Sequence, residues 1–376
     1  MIMAVVTVTS EPSLKSACLR EGVSMNRNAT KHAAGASASH GKEQPQLAEA
    51  PGFPHQIPSG YAALDDEPRF DPRRHFAFTQ PERVWTLADF GYDEVTIAAS
   101  PSPVAVAGPF RVLSEEGAET ARAIALRLKE LGRQSDRTAS YLTGGVYRSR
   151  FLRDLFTSPE LAEFLSSVAG TALAPHSMPS QQLYVNYAPE DITRHVDTWH
   201  TDSIGFDIVL MVTDPKAIKG GLFQFFHGSR DEAARLLAAP VAGLIAGSSV
   251  ELPSDRIESM PFPGPGYALF QQGNLVLHRA TRLMEKGERI TMVPGFVARD
   301  TRFADPTNVG SIVNWGEPGI PAELARHKAW FAHGRLEAVM SDLPMDATPR
   351  EAASALRHAI ADASALADLL DGVSGA

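Results

Sequence analysis

The stretch that decides the fold is Arg194-His-Val-Asp-Thr-Trp-His-Thr-Asp-Ser203, which contains two His-x-Asp triplets, His195/Asp197 and His200/Asp202. In an extended segment, side chains at positions i and i+2 point to the same side, so each triplet can direct an imidazole and a carboxylate at one point. A further histidine, His278, follows a predicted strand that ends at Phe270. Two histidines and one carboxylate can bind a metal as a facial triad with open coordination positions, and this arrangement suits non-haem Fe(II) and its chemistry with O₂.

A basic residue downstream suggests what else binds near such a metal. Arg289 lies in Gly287-Glu-Arg-Ile-Thr291, at the start of a predicted strand. On a strand, Arg289 and Thr291 share one face, so a guanidinium and a hydroxyl can bind one carboxylate together. A guanidinium holds both oxygens of a carboxylate in a fixed geometry. The combination predicts a cosubstrate that carries a carboxylate and chelates the metal.

Short strands surround these residues. The pattern predicts strands over Gln182–Tyr187, Phe206–Val212, Gly221–Phe226, Gly266–Phe270 and Arg289–Phe296. On the first of them, Tyr184 and Asn186 share a face, where they can bind cosubstrate or substrate or else serve core packing and a turn. Asp207 is expected to be a strand-edge or turn carboxylate. Short strands at regular spacing indicate a sandwich or barrel rather than a parallel βαβ sheet.

The segment from about residue 181 to 296 resembles the double-stranded β-helix, a jelly-roll or cupin-like core, of the Fe(II)/2-oxoglutarate-dependent dioxygenases. It is most similar to the phytanoyl-CoA-hydroxylase-like branch. The motifs that carry the resemblance are Trp199-His-Thr-Asp202, the Gly220-Gly221 turn, Pro265-Gly-Tyr-Ala-Leu-Phe270 leading to His278, and Glu288-Arg-Ile-Thr291. The resemblance implies that iron binds to His200, Asp202 and His278. It also implies that Arg289, helped by Thr291, binds the distal carboxylate of 2-oxoglutarate.

Two other histidines remain possible ligands. We favour His200 with Asp202, because an aromatic residue precedes this triplet and a predicted strand follows it directly, as in the family. His195 and Asp197 are expected in a connecting loop, where they would support the ligands or face the substrate. His227 follows the Gly-Gly strand and could compete as a ligand, but a turn position at the strand end suits it better.

The resemblance implies that the chain hydroxylates a small organic metabolite with O₂ and releases succinate and CO₂; desaturation and cyclisation stay open. Halogenation is not expected, because related halogenases free the position of Asp202 for chloride. Two alternatives remain: a cupin-like metalloenzyme that does not use 2-oxoglutarate, and an idle dioxygenase-fold binding module. The element Arg289-Ile-Thr291 argues against the first, and the intact set of ligands argues against the second.

Composition limits the classes of partner. The chain has 376 residues, with 35 Lys+Arg and 44 Asp+Glu, a net charge of −9. An acidic chain without a basic run does not suit a nucleic acid or an anionic membrane. The single cysteine, Cys18, excludes an internal disulfide and thiolate clusters. No apolar run approaches the length of about 18 residues that a membrane span needs, and the start lacks a basic signal region, so we expect a cytoplasmic protein.

Three regions are predicted along the chain. Residues 1–52 lack aromatic side chains and are expected to be a disordered leader. Residues 53–320 form the dioxygenase domain, with its core at about 181–297, and residues 321–376 form a helical extension. Helices are predicted from Ser114 to Leu131, from Ser158 to Gly170 and from Thr348 to about Gly372, and a strand at Val95–Ala99. The segment 229–262 is expected to cover the site, and His327 is expected beside solvent-facing positions of the tail.

Overall fold

Two antiparallel β-sheets with flanking helices make up the part of the chain that the computed structural model describes, which is residues 47, 49–239 and 251–374. The expected leader, residues 1–52, lies outside this part apart from residues 47 and 49–52. The strands are β1 (Arg83–Thr86), β2 (Val104–Arg111), β3 (Tyr141–Leu142), β4 (Leu173–Pro175), β5 (Tyr184–Tyr187), β6 (His195–His200), β7 (Phe206–Met211), β8 (Phe223–Phe226), β9 (Ile257–Met260), β10 (Tyr267–Gln271), β11 (His278–Arg282), β12 (Ile290–Val293) and β13 (Gly295–Ala298). The helices are α1 (Pro72–His75), α2 (Glu94–Ala99), α3 (Glu115–Leu128), α4 (Gly145–Arg148), α5 (Arg150–Phe156), α6 (Pro159–Ala169), α7 (Arg230–Leu237), α8 (Val309–Ile312), α9 (Ile320–Asp342) and α10 (Pro349–Ser374).

The larger sheet runs in the order β1-β2-β10-β7-β12-β5-β3, with β13 beside β7 and β4 beside β13. The smaller sheet has the order β6-β11-β8-β9. The predicted strands are confirmed with shifted ends, and the segment Arg289–Phe296 divides at Pro294 into β12 and β13. The main sheet also takes up β1 to β4, which precede the expected core.

Strand β7 separates two layers of the core. Ile208 and Leu210 pack with helices α3, α5 and α6 on the outer face, whereas Val209 and Met211 pack with Phe225 of the smaller sheet. This alternation follows from the two-residue period of a strand. Polar residues at the inner positions of the large sheet therefore enter the space between the two sheets.

The predicted helices are confirmed by their capping residues. The side chain of Ser114 accepts a hydrogen bond from the Gly117 amide at the start of α3, and Ser158 accepts one from the Leu161 amide at α6. Before α10, Thr348 and Glu351 exchange the hydrogen bonds of a capping box.

The strand predicted at Val95–Ala99 is wrong, because α2 occupies these residues. The Asp93 side chain accepts a hydrogen bond from the Thr96 amide at 2.7 Å and so starts a helix. A capping aspartate here outweighs the strand preference of a short β-branched run. Among the described helices, none is long and apolar enough to span a membrane.

The tail helices form a pair in which α9 packs against the core. The expectation that His327 lies beside solvent-facing positions is wrong, because its side chain is completely buried. Glu323 and Lys328 are buried beside it on the same helix. The docking surface of α9 is therefore partly polar.

Candidate active site

Six inward positions of the large sheet bring polar side chains to one cavity of about 730 Å³. They are Tyr184 and Asn186 of β5, Asp207 of β7, Gln271 of β10, and Arg289 and Thr291 at β12. Their apolar neighbours on the same strands pack on the outer face, so the positions follow from strand alternation. The smaller sheet supplies the opposite wall of the cavity.

The favoured triad, His200, Asp202 and His278, lies together in this cavity. The two histidines are cross-strand partners on β6 and β11. The Nε2 atom of His200 lies 3.4 Å from Asp202 Oδ1, and that of His278 lies 3.3 Å from Asp202 Oδ2. One ligand atom from each residue falls within 4.8 Å of the others, so the group can hold one metal ion.

Backbone contacts orient both imidazoles for metal binding. Nδ1 of His200 lies 2.7 Å from the carbonyl oxygen of Thr198, and Nδ1 of His278 lies 3.0 Å from that of Val276. A carbonyl oxygen only accepts, so each Nδ1 carries a proton, and in the neutral imidazole the lone pair is then on Nε2, which faces the metal position. Burial and the neighbouring His200 lower the pKa of His278 to about 4, which keeps this ring neutral at pH 7. Although burial opposes it, the nearby histidines and Arg137 hold the pKa of Asp202 well below its usual range.

The triplet His195/Asp197 was expected in a connecting loop, but it lies in a strand. His195 begins β6, and Asp197 lies within it. The register between β6 and β11 shifts between His278 and Ala280, which turns Asp197 to the side of His200. Asp197 Oδ1 lies 3.5 Å from His200 Nδ1. Asp197 therefore lines the cavity beside the metal triad, whereas His195 is not among the lining residues described.

The proposed carboxylate-binding residue Arg289 is 1% exposed and lines the same cavity. Its Nε donates to the Gly221 carbonyl oxygen at 2.9 Å, and its Nη1 donates to Thr291 Oγ1 at 3.3 Å. Among the described residues, no carboxylate forms an ion pair with it. Burial lowers its pKa to about 10, and the guanidinium stays charged at pH 7. A buried, unpaired cation is costly, so the site suits an anionic ligand.

Two further lining residues are buried polar groups: Asp207, to which the sequence-based reasoning gave another role, and Asn186, which it placed on this face. Asp207 is not a strand-edge carboxylate, because it is fully buried, and burial and the charge of Asp202 raise its pKa well above the usual range. Asn186 is buried with an Oδ1 atom that has no hydrogen-bond partner among the described residues. The alternation of the predicted strand would have placed Asp207 inside the cavity, because Asp207 shares its face with Val209 and Met211.

Arg137 was missed, because it lies in a loop without a motif. Its Nε is 3.7 Å from Asp197 Oδ1, and its Nη1 is 4.0 Å from Asp202 Oδ1. Its pKa is raised despite burial, because Asp197, Tyr184 and Asp202 stabilise the charged form. Arg137 therefore brings a second positive charge to the triad.

Two segments outside the central strands also line the cavity. Lining residues come from 135–143 and from 308–317. Within the described part of the segment 229–262, by contrast, no residue lines the cavity. The expectation that this segment covers the site is therefore not met there. His227 contacts the Phe90 ring at a centroid distance of 5.2 Å and lies outside the described lining.

Several solved structures are similar to this chain at low identity. The carbocyclase SnoK from nogalamycin biosynthesis, called α-ketoglutarate-dependent, has a TM-score of 0.38 and 16% identity over 57% of this chain and 87% of that chain. The epimerase SnoN with Fe³⁺, α-ketoglutarate and nogalamycin RO has a TM-score of 0.34 and 16% identity, covering 48% of this chain and 74% of that chain. EvdO2 from Micromonospora carbonacea var. aurantiaca has a TM-score of 0.33 and 14% identity, covering 58% of this chain and 95% of that chain. At such low TM-scores, these likenesses carry no conclusion about the function of this chain.

No curated protein sequence matches the chain. The phytanoyl-CoA-hydroxylase-like branch expected from the sequence is not among the families found. A family model described as HalD, Halogenase D, matches residues 118–308, which is half of the chain and includes His200, Asp202, His278 and Arg289. The chain belongs to the Halogenase D family.

Proposed function

We propose that the protein is a non-haem Fe(II)/2-oxoglutarate-dependent dioxygenase that hydroxylates a small organic metabolite and releases succinate and CO₂. The observation that carries this proposal is the buried Arg289, whose charge has no carboxylate partner among the described residues, in the same cavity as the His200–Asp202–His278 group. A metal site alone would fit many enzymes. A metal site with an unpaired guanidinium fits an enzyme that binds a metal-chelating dicarboxylate.

The donors present suit iron. Two neutral imidazoles and a carboxylate are the ligands of the facial triad of Fe(II) oxygenases. His200, Asp202 and His278 would hold the metal through Nε2, a carboxylate oxygen and Nε2. Two antiparallel sheets that enclose the site also support the double-stranded β-helix as the core fold.

With O₂ as the oxidant and 2-oxoglutarate as the cosubstrate that donates electrons, bound iron would supply the chemistry of C–H hydroxylation, and the protein supplies binding and orientation. Arg289 and Thr291 would bind the distal carboxylate, so that the other end of the cosubstrate reaches the triad. Asn186 and Tyr184 line the same wall and would hydrogen-bond cosubstrate or substrate. Arg137 would balance the negative charge of Asp197 and Asp202 and direct the substrate. The loops 135–143 and 308–317 would exclude water from the bound substrate.

Succinate formation from 2-oxoglutarate tests the proposal. Wild-type protein is reconstituted anaerobically with Fe(II) and ascorbate, and succinate is then measured in the presence of O₂ with 2-oxoglutarate and candidate metabolites. For Arg289→Ala, we expect 2-oxoglutarate binding to weaken about 30-fold or more, which corresponds to at least ~2 kcal/mol for a buried charge left without its partner. Metal binding should be retained, because Arg289 is not a ligand. Wild-type protein that binds iron but neither binds nor turns over 2-oxoglutarate would support the cupin-like alternative, and protein that binds neither would support the idle module.

Halogenation is the second candidate, because the matching family is described as a halogenase. Asp202 argues against it, since its carboxylate occupies the third ligand position of the triad. Product analysis by mass spectrometry with and without chloride separates the two reactions. We expect a hydroxylated product in both cases; a chlorinated product that depends on chloride would instead establish the halogenase.

A further inference from the structure

The side-chain amide of Gln271 lies between Asp202 and a second carboxyl group, that of Asp207. Its Nε2 is 3.2 Å from Asp202 Oδ2 and 3.0 Å from Asp207 Oδ1. Gln271 and Asp207 are cross-strand partners on β10 and β7. They are 1% and 0% exposed. The amide is therefore shielded from water at the edge of the metal triad.

The neighbours of Gln271 define its orientation. An amide nitrogen carries two hydrogens, one for each of the two carboxyl groups. Exchange of Nε2 and Oε1 would instead set an acceptor against the carboxylate of Asp202. Nε2 is also 3.1 Å from His278 Nε2, but both amide hydrogens are used by the carboxyl groups. The lone pair of His278 Nε2 thus remains available for a metal.

Gly273 leaves room for the pair of carboxyl groups. A Cβ atom at this position would overlap Asp202 Oδ2 and would lie 2.6 Å from Asp207 Oδ2. The Gly273 carbonyl oxygen also accepts a hydrogen bond from the Asp202 amide at 2.8 Å. The backbone after β10 is therefore shaped around the Asp202 side chain.

We propose that Gln271 is a positioning residue for the metal ligand Asp202 and that Asp207 holds Gln271 in place. The inference rests on the proposed function, because it concerns the same metal site. One amide hydrogen fixes Asp202 Oδ2, so that Oδ1, which is 3.4 Å from His200 Nε2, faces the position of the metal. Asp207 accepts the other hydrogen and prevents rotation of the amide. Partners that orient a metal ligand typically contribute about 10- to 100-fold to metal affinity.

The experiment measures Co(II) binding to the full chain by calorimetry and by the visible absorption of the bound ion. For Gln271→Met, which keeps the volume but lacks the donor, we expect about 10- to 100-fold weaker binding and a changed absorption spectrum. Asp207→Leu should have a similar effect, whereas Asp207→Asn keeps an acceptor for the amide and should bind Co(II) nearly as wild type does. The combined Gln271→Met and Asp207→Leu variant should be no worse than either change alone.

The neighbouring Gln272 offers a matched control. Its side chain is also buried but donates to the carbonyl oxygens of Ser102 and Val104, away from the triad. Gln272→Met should lower the melting temperature and leave the Co(II) affinity and spectrum unchanged.

The outcomes distinguish the two proposals. Wild-type protein that binds no Co(II) or Fe(II) would overturn the proposed function and this inference with it. If Gln271→Met binds Co(II) with the affinity and the absorption spectrum of the wild type, the inference is overturned and the proposed function is not. If Gln271→Met does not fold, equal Co(II) binding by Asp207→Leu and Asp207→Asn would overturn it.

Discussion

Gly221 shows how a single residue can shape the cosubstrate site. It has a positive φ of +64°, and a Cβ atom there would lie 2.7 Å from Arg289 Cδ and 2.9 Å from Arg289 Nε. Its carbonyl oxygen also accepts the hydrogen bond from Arg289 Nε. Gly221→Ala should therefore displace the guanidinium as well as strain the backbone. We expect weaker binding of 2-oxoglutarate, measured by calorimetry on the metal-loaded protein.

The control for this substitution is Gly170→Ala. Gly170 has a similar φ of +67°, and a Cβ atom added there would have no heavy atom of the described residues within 4 Å. Both substitutions should cost stability through the left-handed backbone, roughly 1 kcal/mol each. Only Gly221→Ala should change the 2-oxoglutarate affinity; equal affinities in both variants would contradict the steric role of Gly221.

Among the elements, the strands β5, β7, β10 and β12 of the large sheet could be predicted, because apolar side chains recur on them at every second position. That period placed Tyr184, Asn186 and Thr291 correctly on the inner face. The position of Asp197 could not be predicted, because it depends on a register shift between β6 and β11 that has no sequence signal. Arg137 was missed for a similar reason, since its position depends on a loop that pairs with β6.

The hairpin 133–141 carries Arg137 to the cavity. Its backbone meets β6 through the Ala139 amide and the Val196 carbonyl oxygen at 3.1 Å. Arg133, which is half-exposed, forms an ion pair with the buried Glu317 at 2.8 Å. Arg133→Gln should remove up to about 1 kcal/mol of local stability, because the cation of the pair is exposed. We expect amide hydrogen exchange in the hairpin to accelerate about fivefold at most, with the β7 and β10 amides unchanged.

Arg74→Gln is the matched control. Arg74 also forms an exposed ion pair, with Glu116, and neither residue belongs to the hairpin. Arg74→Gln should leave exchange in the hairpin unchanged. An Arg133→Gln variant whose hairpin exchanges as slowly as that of the wild type would show that the ion pair does not hold the hairpin.

For the molecule as a whole, docking of the tail was the feature least accessible to sequence-based prediction. A helix normally shows its buried face as an apolar stripe. Helix α9 instead buries Glu323 and His327, whose partners come from distant segments. The Ser180 hydroxyl donates to Glu323 at 2.7 Å, and Asp305 Oδ2 lies 2.8 Å from His327 Nε2. Such pairs are invisible until the fold brings the segments together.

The same buried cluster predicts how the stability of the molecule depends on pH. His176 is fully buried and stacks on His327 at a centroid distance of 4.9 Å, with Asp305 and Lys328 beside them. Burial, followed by the neighbouring His327, lowers the pKa of His176 well below its usual range. The folded state therefore keeps the ring neutral while the unfolded chain takes up a proton below about pH 6.5. Stability is present above that pH and falls as the pH decreases through it.

Urea unfolding of the metal-free protein at pH 7 and pH 5.5 measures this contribution. His176→Asn keeps an acceptor for the Met178 amide, which His176 Nδ1 binds at 3.2 Å, but cannot titrate. Wild type should lose roughly 1 kcal/mol more than His176→Asn between the two pH values. The lowered pKa values of His195 and His278 act in the same window, but they contribute equally to both proteins and cancel in the comparison. The control is His333→Asn at an exposed site of α9, whose stability should depend on pH as that of the wild type does. If the stabilities of wild type and His176→Asn depended equally on pH, His176 would be solvated in solution and α9 would not be docked over it.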